Sequence, residues 1–227
     1  MIDLIVILVV IAFAIIGYKK GLIRSVTTLC SSIVALVLSF IIYPAINMIL
    51  KLTPIYTSIY QGVFKKIEVI DFGKGIQSQG NAILENITWL PDFLTMQIKN
   101  NNNTVMYELL GAKTIQEYIS SYITHMIVNM IALLITWFFL KVILGTVFRI
   151  LGSVVEQLPV VSTLNRGTGL FFGLLKAVVT LSIVGLIVPV LITNPELQSI
   201  SQSIEASIIT KWLYNNSFIL MIYNYLI

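Results

Sequence analysis

Four apolar runs punctuate the chain: Ile2 to Ile16, Leu29 to Leu50, Ile123 to Leu140, and Val178 to Ile192, the last approached through a glycine-rich stretch from Gly167. A helix rises about 1.5 Å per residue and hydrocarbon is ~30 Å thick, so the first and last runs must borrow residues from their flanks to cross. Between the first two runs, GYKKGLIRS predicts a tight turn bracketed by Gly17 and Gly21, with lysines that snorkel to headgroups. From Lys51 to Tyr122 the pattern becomes mixed. Ile55, Ile59, Val63, Ile67 and Ile70 recur at helical spacing, and Asn100 to Asn103 reads as a loop. Thr114-Ile-Gln-Glu117 has the form of a capping box, so the third span should start outside the membrane and run as one long helix toward Arg149. The apolar but interrupted segment between spans three and four is expected at the interface or as a shallow re-entry. After span four, Asn194-Pro195-Glu196 supplies helix-start signals, and Leu197, Ile200, Ile204, Ile208 and Trp212 predict one amphipathic helix that docks on the external insertion. The expected fold is all-α. A four-span transmembrane bundle (spans one and two in 1–50, spans three and four in 123–192) carries a small helical external insertion (51–122) and an amphipathic C-terminal tail (193–227).

Composition agrees with that pattern. Hydrophobic residues make up 57% of the 227 and charged residues 11%, against roughly 25% charged in soluble domains. The charges are distributed by side. Lys19, Lys20, Arg24, Lys141, Arg149, Arg166 and Lys176 oppose only Glu156 in the connections after spans one and three, whereas the other side holds seven lysines and nine acids. Short loops rich in Lys and Arg stay cytoplasmic, so both termini are expected outside. The net charge of +4 is thereby a topological asymmetry, and nucleic acid is not an expected partner. A cleaved secretory signal is disfavoured because Asp3 precedes the first run and the lysines follow it. The single Cys30 allows no intrachain disulfide.

Two stripes of small residues follow. Ser25, Thr28, Ser32, Ala35 and Ser39 lie on one face of span two, and Gly169, Gly173, Ala177 and Thr180 on one face of span four. In lipid such stripes mark close helix approach, and here they are expected to meet each other or a second subunit. His125, Asn129 and Thr136 share a face of span three. His125 and Asn129, with Lys176 and Glu156, form the one candidate polar pathway, although interhelical hydrogen bonding and snorkelling account for the same residues.

The stretch NRGTGLFFGLLKAVV, with Asn165, Arg166, Gly169 and Gly173, resembles the signature of the colicin V production protein family. The opening MIDLIVILVVIAFAIIGYKKGLIRSV also resembles that family's first span, with Asp3, Gly17 and Gly21 on its pattern. Gly167 and Thr168 stand at places usually apolar in the family, and Ser32, Ala35 and Ser39 where glycines are common. The resemblance implies a multi-pass protein of the bacterial cytoplasmic (inner) membrane, linked to peptide-toxin production or export and to the cell envelope. The expected role is non-enzymatic, without catalytic residues, metal or cofactor. The expected partners are the lipid bilayer and a second copy or an export-machinery protein. The runner-up is a small-solute or ion transporter or channel. A protease is third, since one histidine, no GxSxG and no span with paired aspartates leave no catalytic set to build on.

Overall fold

The computed structural model describes residues 2–155, 162–193 and 197–226. The described residues form helices α1 (Ile2–Lys51), α2 (Pro54–Ile67), α3 (Ile76–Asn86), α4 (Asp92–Asn100), α5 (Thr104–Leu110), α6 (Ile115–Val155), α7 (Ser162–Val184), α8 (Val188–Thr193), α9 (Gln198–Glu205), α10 (Ile208–Asn215) and α11 (Phe218–Leu226). Three stretches are long and apolar enough to cross a membrane: Ile2–Lys51, Ile115–Ile150 and Asn165–Thr193. Their outward surface is apolar too, with Leu4, Ile11, Ile41, Phe139, Ile143 and Phe171 exposed. In water that surface would drive aggregation; in lipid it costs nothing.

The four apolar runs fall in three membrane-length stretches because the first two share α1. At Gly21 the backbone takes φ 73° and ψ −177°, a conformation open to glycine and costly for any residue with a Cβ. Ser25 Oγ donates to Gly17 O at 3.3 Å, whereas a straight helix would hold residues eight apart about 12 Å from each other. The chain therefore turns back at Gly21, leaving arms 2–20 and 22–51. The expected turn is narrower than GYKKGLIRS suggested. Gly17 remains helical, since one glycine suffices for the reversal.

α6 begins as the capping box requires: Glu117 N donates to Thr114 Oγ1 at 3.2 Å and the Glu117 carboxylate accepts from Lys113 N at 2.7 Å. Its 41 residues reach about 60 Å. α6 runs along the second arm of α1, from Asn129 beside Asn47 to Lys141 beside Thr28. α7 runs along the first arm, from Asn165 beside Leu22 to Lys176 over Phe13. Near its far end, Pro189 cannot tolerate the carbonyl four residues back in an α-helical bond, and residues Gly185–Ile187 tighten into a 3-10 turn before α8.

At that same end α2 to α5 and the tail share one core. Thr53 caps α2, with Pro54 in its first turn. Val63, Ile67, Ile83 and Leu94 are buried in one cluster with Ile204, Tyr214, Ile219 and Leu220 of the tail. Lys66 Nζ ties α2 to α8 through a 2.5 Å bond to Ile192 O. The tail differs from its expected form, being three short helices in place of one. Ser207 supplies the reason: its hydroxyl accepts from Thr210 N at 3.1 Å and starts α10 afresh. Asn101 to Asn103 do form a loop, and Asn103 caps α5 through Met106 N. The expected helix start at Asn194-Pro195-Glu196 lies outside the described residues.

Candidate functional site

The bend at Gly21 frees the backbone N–H groups that open the second arm, and such a helix start needs an acceptor. Asn165 provides it. Its Oδ1 accepts from Leu22 N at 2.6 Å, so the asparagine caps a helix other than its own. One turn along α7, a Cβ built on Gly169 would lie 2.5 Å from Gly17 O and 2.8 Å from Gly21 Cα. A further turn on, a Cβ at Gly173 would lie 2.5 Å from Phe13 O and 3.1 Å from Gly17 Cα. Backbone thus lies directly on backbone, which only glycine permits at both faces. A Cβ placed on Gly167 would meet nothing within 4 Å, so that glycine lies off the contact. Arg166 is exposed, its guanidinium 6.0 Å from the Tyr18 ring centroid.

The two small-residue stripes have different neighbours. The nearest atoms to Gly169 and Gly173 belong to Phe13, Gly17 and Gly21 of the first arm. Further along that stripe Ala177 is buried and Thr180 half-buried. On the second arm Ser25, Ser32, Ala35 and Ser39 are buried and Thr28 half-buried. There α6 supplies the contacts: Trp137 Nε1 donates to Ser32 O at 3.3 Å, and Lys141 Nζ donates to Thr28 O at 2.8 Å, to Ser31 Oγ at 2.7 Å and to Ser32 Oγ.

Lys141 went unremarked in the sequence because it read as one of seven anchoring cations. The signal available was the crowd of hydroxyls at Thr28, Ser31 and Ser32, more than close packing alone requires. Lys20, Lys141 and Lys176 lie near enough to feel one another's charge. Lys176 sits with its Nζ 5.4 Å from the Phe13 ring centroid. Glu156, the one acid among the inward cations, lies outside the described residues.

Toward the other end of α6 the expected polar face makes separate contacts. Asn129 Oδ1 accepts from Asn47 Nδ2, His125 meets the Tyr56 ring edge-on at 5.4 Å, and Thr136 Oγ1 donates to its own helix at Ala132 O, 2.7 Å. These residues are not brought together with Lys176, whose contact is on the first arm. Asp3 acquires the most partners: its carboxylate accepts from Ser207 Oγ, Ile208 N at 2.9 Å, Ile209 N at 3.0 Å, Thr210 N at 3.1 Å and Thr210 Oγ1 at 3.2 Å. An anion placed on the N–H groups that open α10 is favoured by both hydrogen bonding and the helix dipole.

The motif residues therefore act in pairs, Asn165 with Leu22 and the glycines of α7 with those of α1. A family model described as Colicin V production protein matches residues 2–69 and 105–217, leaving out 70–104, the segment that holds α3 and α4. No curated protein and no solved structure matches the chain. With both halves of the glycine contact and the Asp3 clip inside the matched residues, the chain belongs to the colicin V production protein family.

Proposed function

We propose that this protein is a non-enzymatic scaffold of the bacterial inner membrane that supports production or export of a peptide toxin and, more broadly, envelope function. The observation that carries the reading is the use of the motif itself. Asn165, Gly169 and Gly173 are engaged in holding α7 against the bend of α1, which gives these residues of the signature a structural task. A rigid bundle that presents a helical head is suited to holding a second copy or an export component.

Three observations support a topology of four crossings with both termini outside. The reversal at Gly21 gives two apolar arms. The Asp3 contact with residues 207–210 brings the two ends of the chain together. The basic residues near the bend carry the inward charge bias. Reporter fusions after Lys20 and at Ile227 test this, with cytoplasmic and external signals expected respectively; the reverse pair overturns it.

The scaffold reading is tested in a toxin-producing strain lacking the protein, with secreted toxin measured alongside crosslinking in native membrane. Loss of secretion and capture of a second copy or an export component are expected. Normal secretion with no crosslinked partner defeats the reading. A transporter is the second reading, favoured by one observation: Lys141 is a half-buried cation held by hydroxyls inside a membrane helix. Solute or ion flux in proteoliposomes that disappears in Lys141→Met would move the assignment there.

A further inference from the structure

Two cavities meet at the tail. The first, about 210 Å³, is apolar and lies between the start of α1, the 3-10 turn after α7, and α9 and α10, with Ile2, Val6, Val184, Ile187 and Leu213 in its wall. Val184 and Ile187 are exposed on a stretch apolar enough to cross the membrane. The second, about 470 Å³, falls within the ordinary range of ligand sites. It is polar, lined by Asp92, Glu205, Lys211 and Asn215, all exposed to water, with Trp89 behind them.

Ile204 and Tyr214 line both cavities. Tyr214 is only 6% exposed, and its hydroxyl has no hydrogen-bond partner among the described residues. A buried hydroxyl left without a partner is costly and uncommon in native proteins. Ile204 and Tyr214 thus set an apolar cavity and one with charged residues in its wall side by side.

We infer that the two cavities form one binding site for a phospholipid with an amine headgroup, its acyl chain in the apolar cavity and its head in the polar one. Charge complementarity selects that head. Asp92 and Glu205 offer carboxylates to an ammonium, while Lys211 offers a cation to the phosphate. Two acids with one base in the wall suit a zwitterion better than an anionic lipid. Thr88 to Phe93 fall in the segment outside the family match, so part of the head compartment lies beyond the family pattern. The site stands independently of the scaffold reading.

The test uses the full chain in phosphatidylcholine nanodiscs doped with a phosphatidylethanolamine bearing a photoactivatable acyl chain. Mass spectrometry should place adducts around residues 184–191 and 204–214, with at least five-fold fewer from a phosphatidylglycerol probe with the same chain. A Cβ at Gly185 meets nothing within 4 Å, so Gly185→Leu fills the cavity without a backbone clash and should cut the yield at least ten-fold. Gly145→Leu, equally unobstructed and distant from the cavities, should not change it. Asp92→Asn and Glu205→Gln, both at exposed positions, should together erase the preference for the amine head. Undiminished yield in Gly185→Leu, equal yield from both headgroups, or a preference that survives the double substitution would each overturn the site.

Discussion

Asn165 Oδ1 and Leu22 N, 143 positions apart in sequence, are joined at 2.6 Å. That bond closes the one backbone discontinuity of α1. Replacing Asn165 with alanine strands the N–H, and the expected loss is about 1 kcal/mol, as for other helix caps. Asn165→Asp keeps an acceptor and should retain most of the stability. Thermal unfolding in detergent distinguishes the two; equal losses would show that the asparagine acts through something other than its oxygen.

The glycine contact gives a graded series. Gly173→Leu must push α7 off Phe13 and Gly17, and a loss of roughly 1 to 3 kcal/mol is expected. Gly169→Ala should also be damaging, since its Cβ would fall 2.8 Å from Gly21 Cα. Gly167→Ala should be neutral. An ordering in which Gly167 is as sensitive as Gly169 would contradict the packing.

Lys141 and Lys176 separate by what holds them. Lys141 makes hydrogen bonds to Thr28, Ser31 and Ser32, and bonds to a charged group contribute about 1.5 to 3 kcal/mol. Lys141→Met should lower membrane abundance clearly. Lys176 lies over an aromatic ring, and Lys176→Arg should be tolerated with Lys176→Met costing little. Greater damage from Lys176→Met, repaired by Glu156→Gln, would instead establish a buried ion pair.

Asp3 controls the tail. In Asp3→Ala the N–H groups of Ile208 and Ile209 lose their acceptor and Thr210 N keeps only Ser207 Oγ, so hydrogen exchange at the start of α10 should accelerate. Unchanged protection of residues 208–215 would show that tail packing alone suffices.

Lys66 supplies a pH dependence. Burial holds its ammonium below the ordinary 10.5, with Glu205 pulling weakly the other way. In the window just below 10.5 the unfolded chain binds more protons than the folded one, so this group makes stability rise with pH there. Lys66→Met should remove that contribution, read as the difference between the two unfolding-versus-pH curves. Parallel curves would refute it.

What the sequence disclosed was mostly local or periodic. The Thr114 to Glu117 box starts α6 because its parts are three residues apart and need no tertiary partner. The second-arm stripe reads from spacing alone. What it concealed depended on distant parts of the chain meeting. Asn165 stood out only as part of a motif, and only the fold shows the N–H at Leu22 that it caps. Ser207 looked like one polar position on an amphipathic face, yet with Asp3 beside it the serine becomes a helix start. The number of helices was obscured for a related reason: Gly21 reverses the axis without an intervening loop, a distinction that composition does not record.

The Asp3 contact also has a consequence for the order of synthesis. Residue 3 leaves the ribosome 204 positions before Ser207, so the first arm must wait through the synthesis of everything between them for its final partner. Asn165 imposes a similar delay on the start of the second arm. The bundle is consequently assembled around a late α7 and sealed only by the tail, and a ribosome stalled before Ser207 leaves a chain already in the membrane but not yet closed.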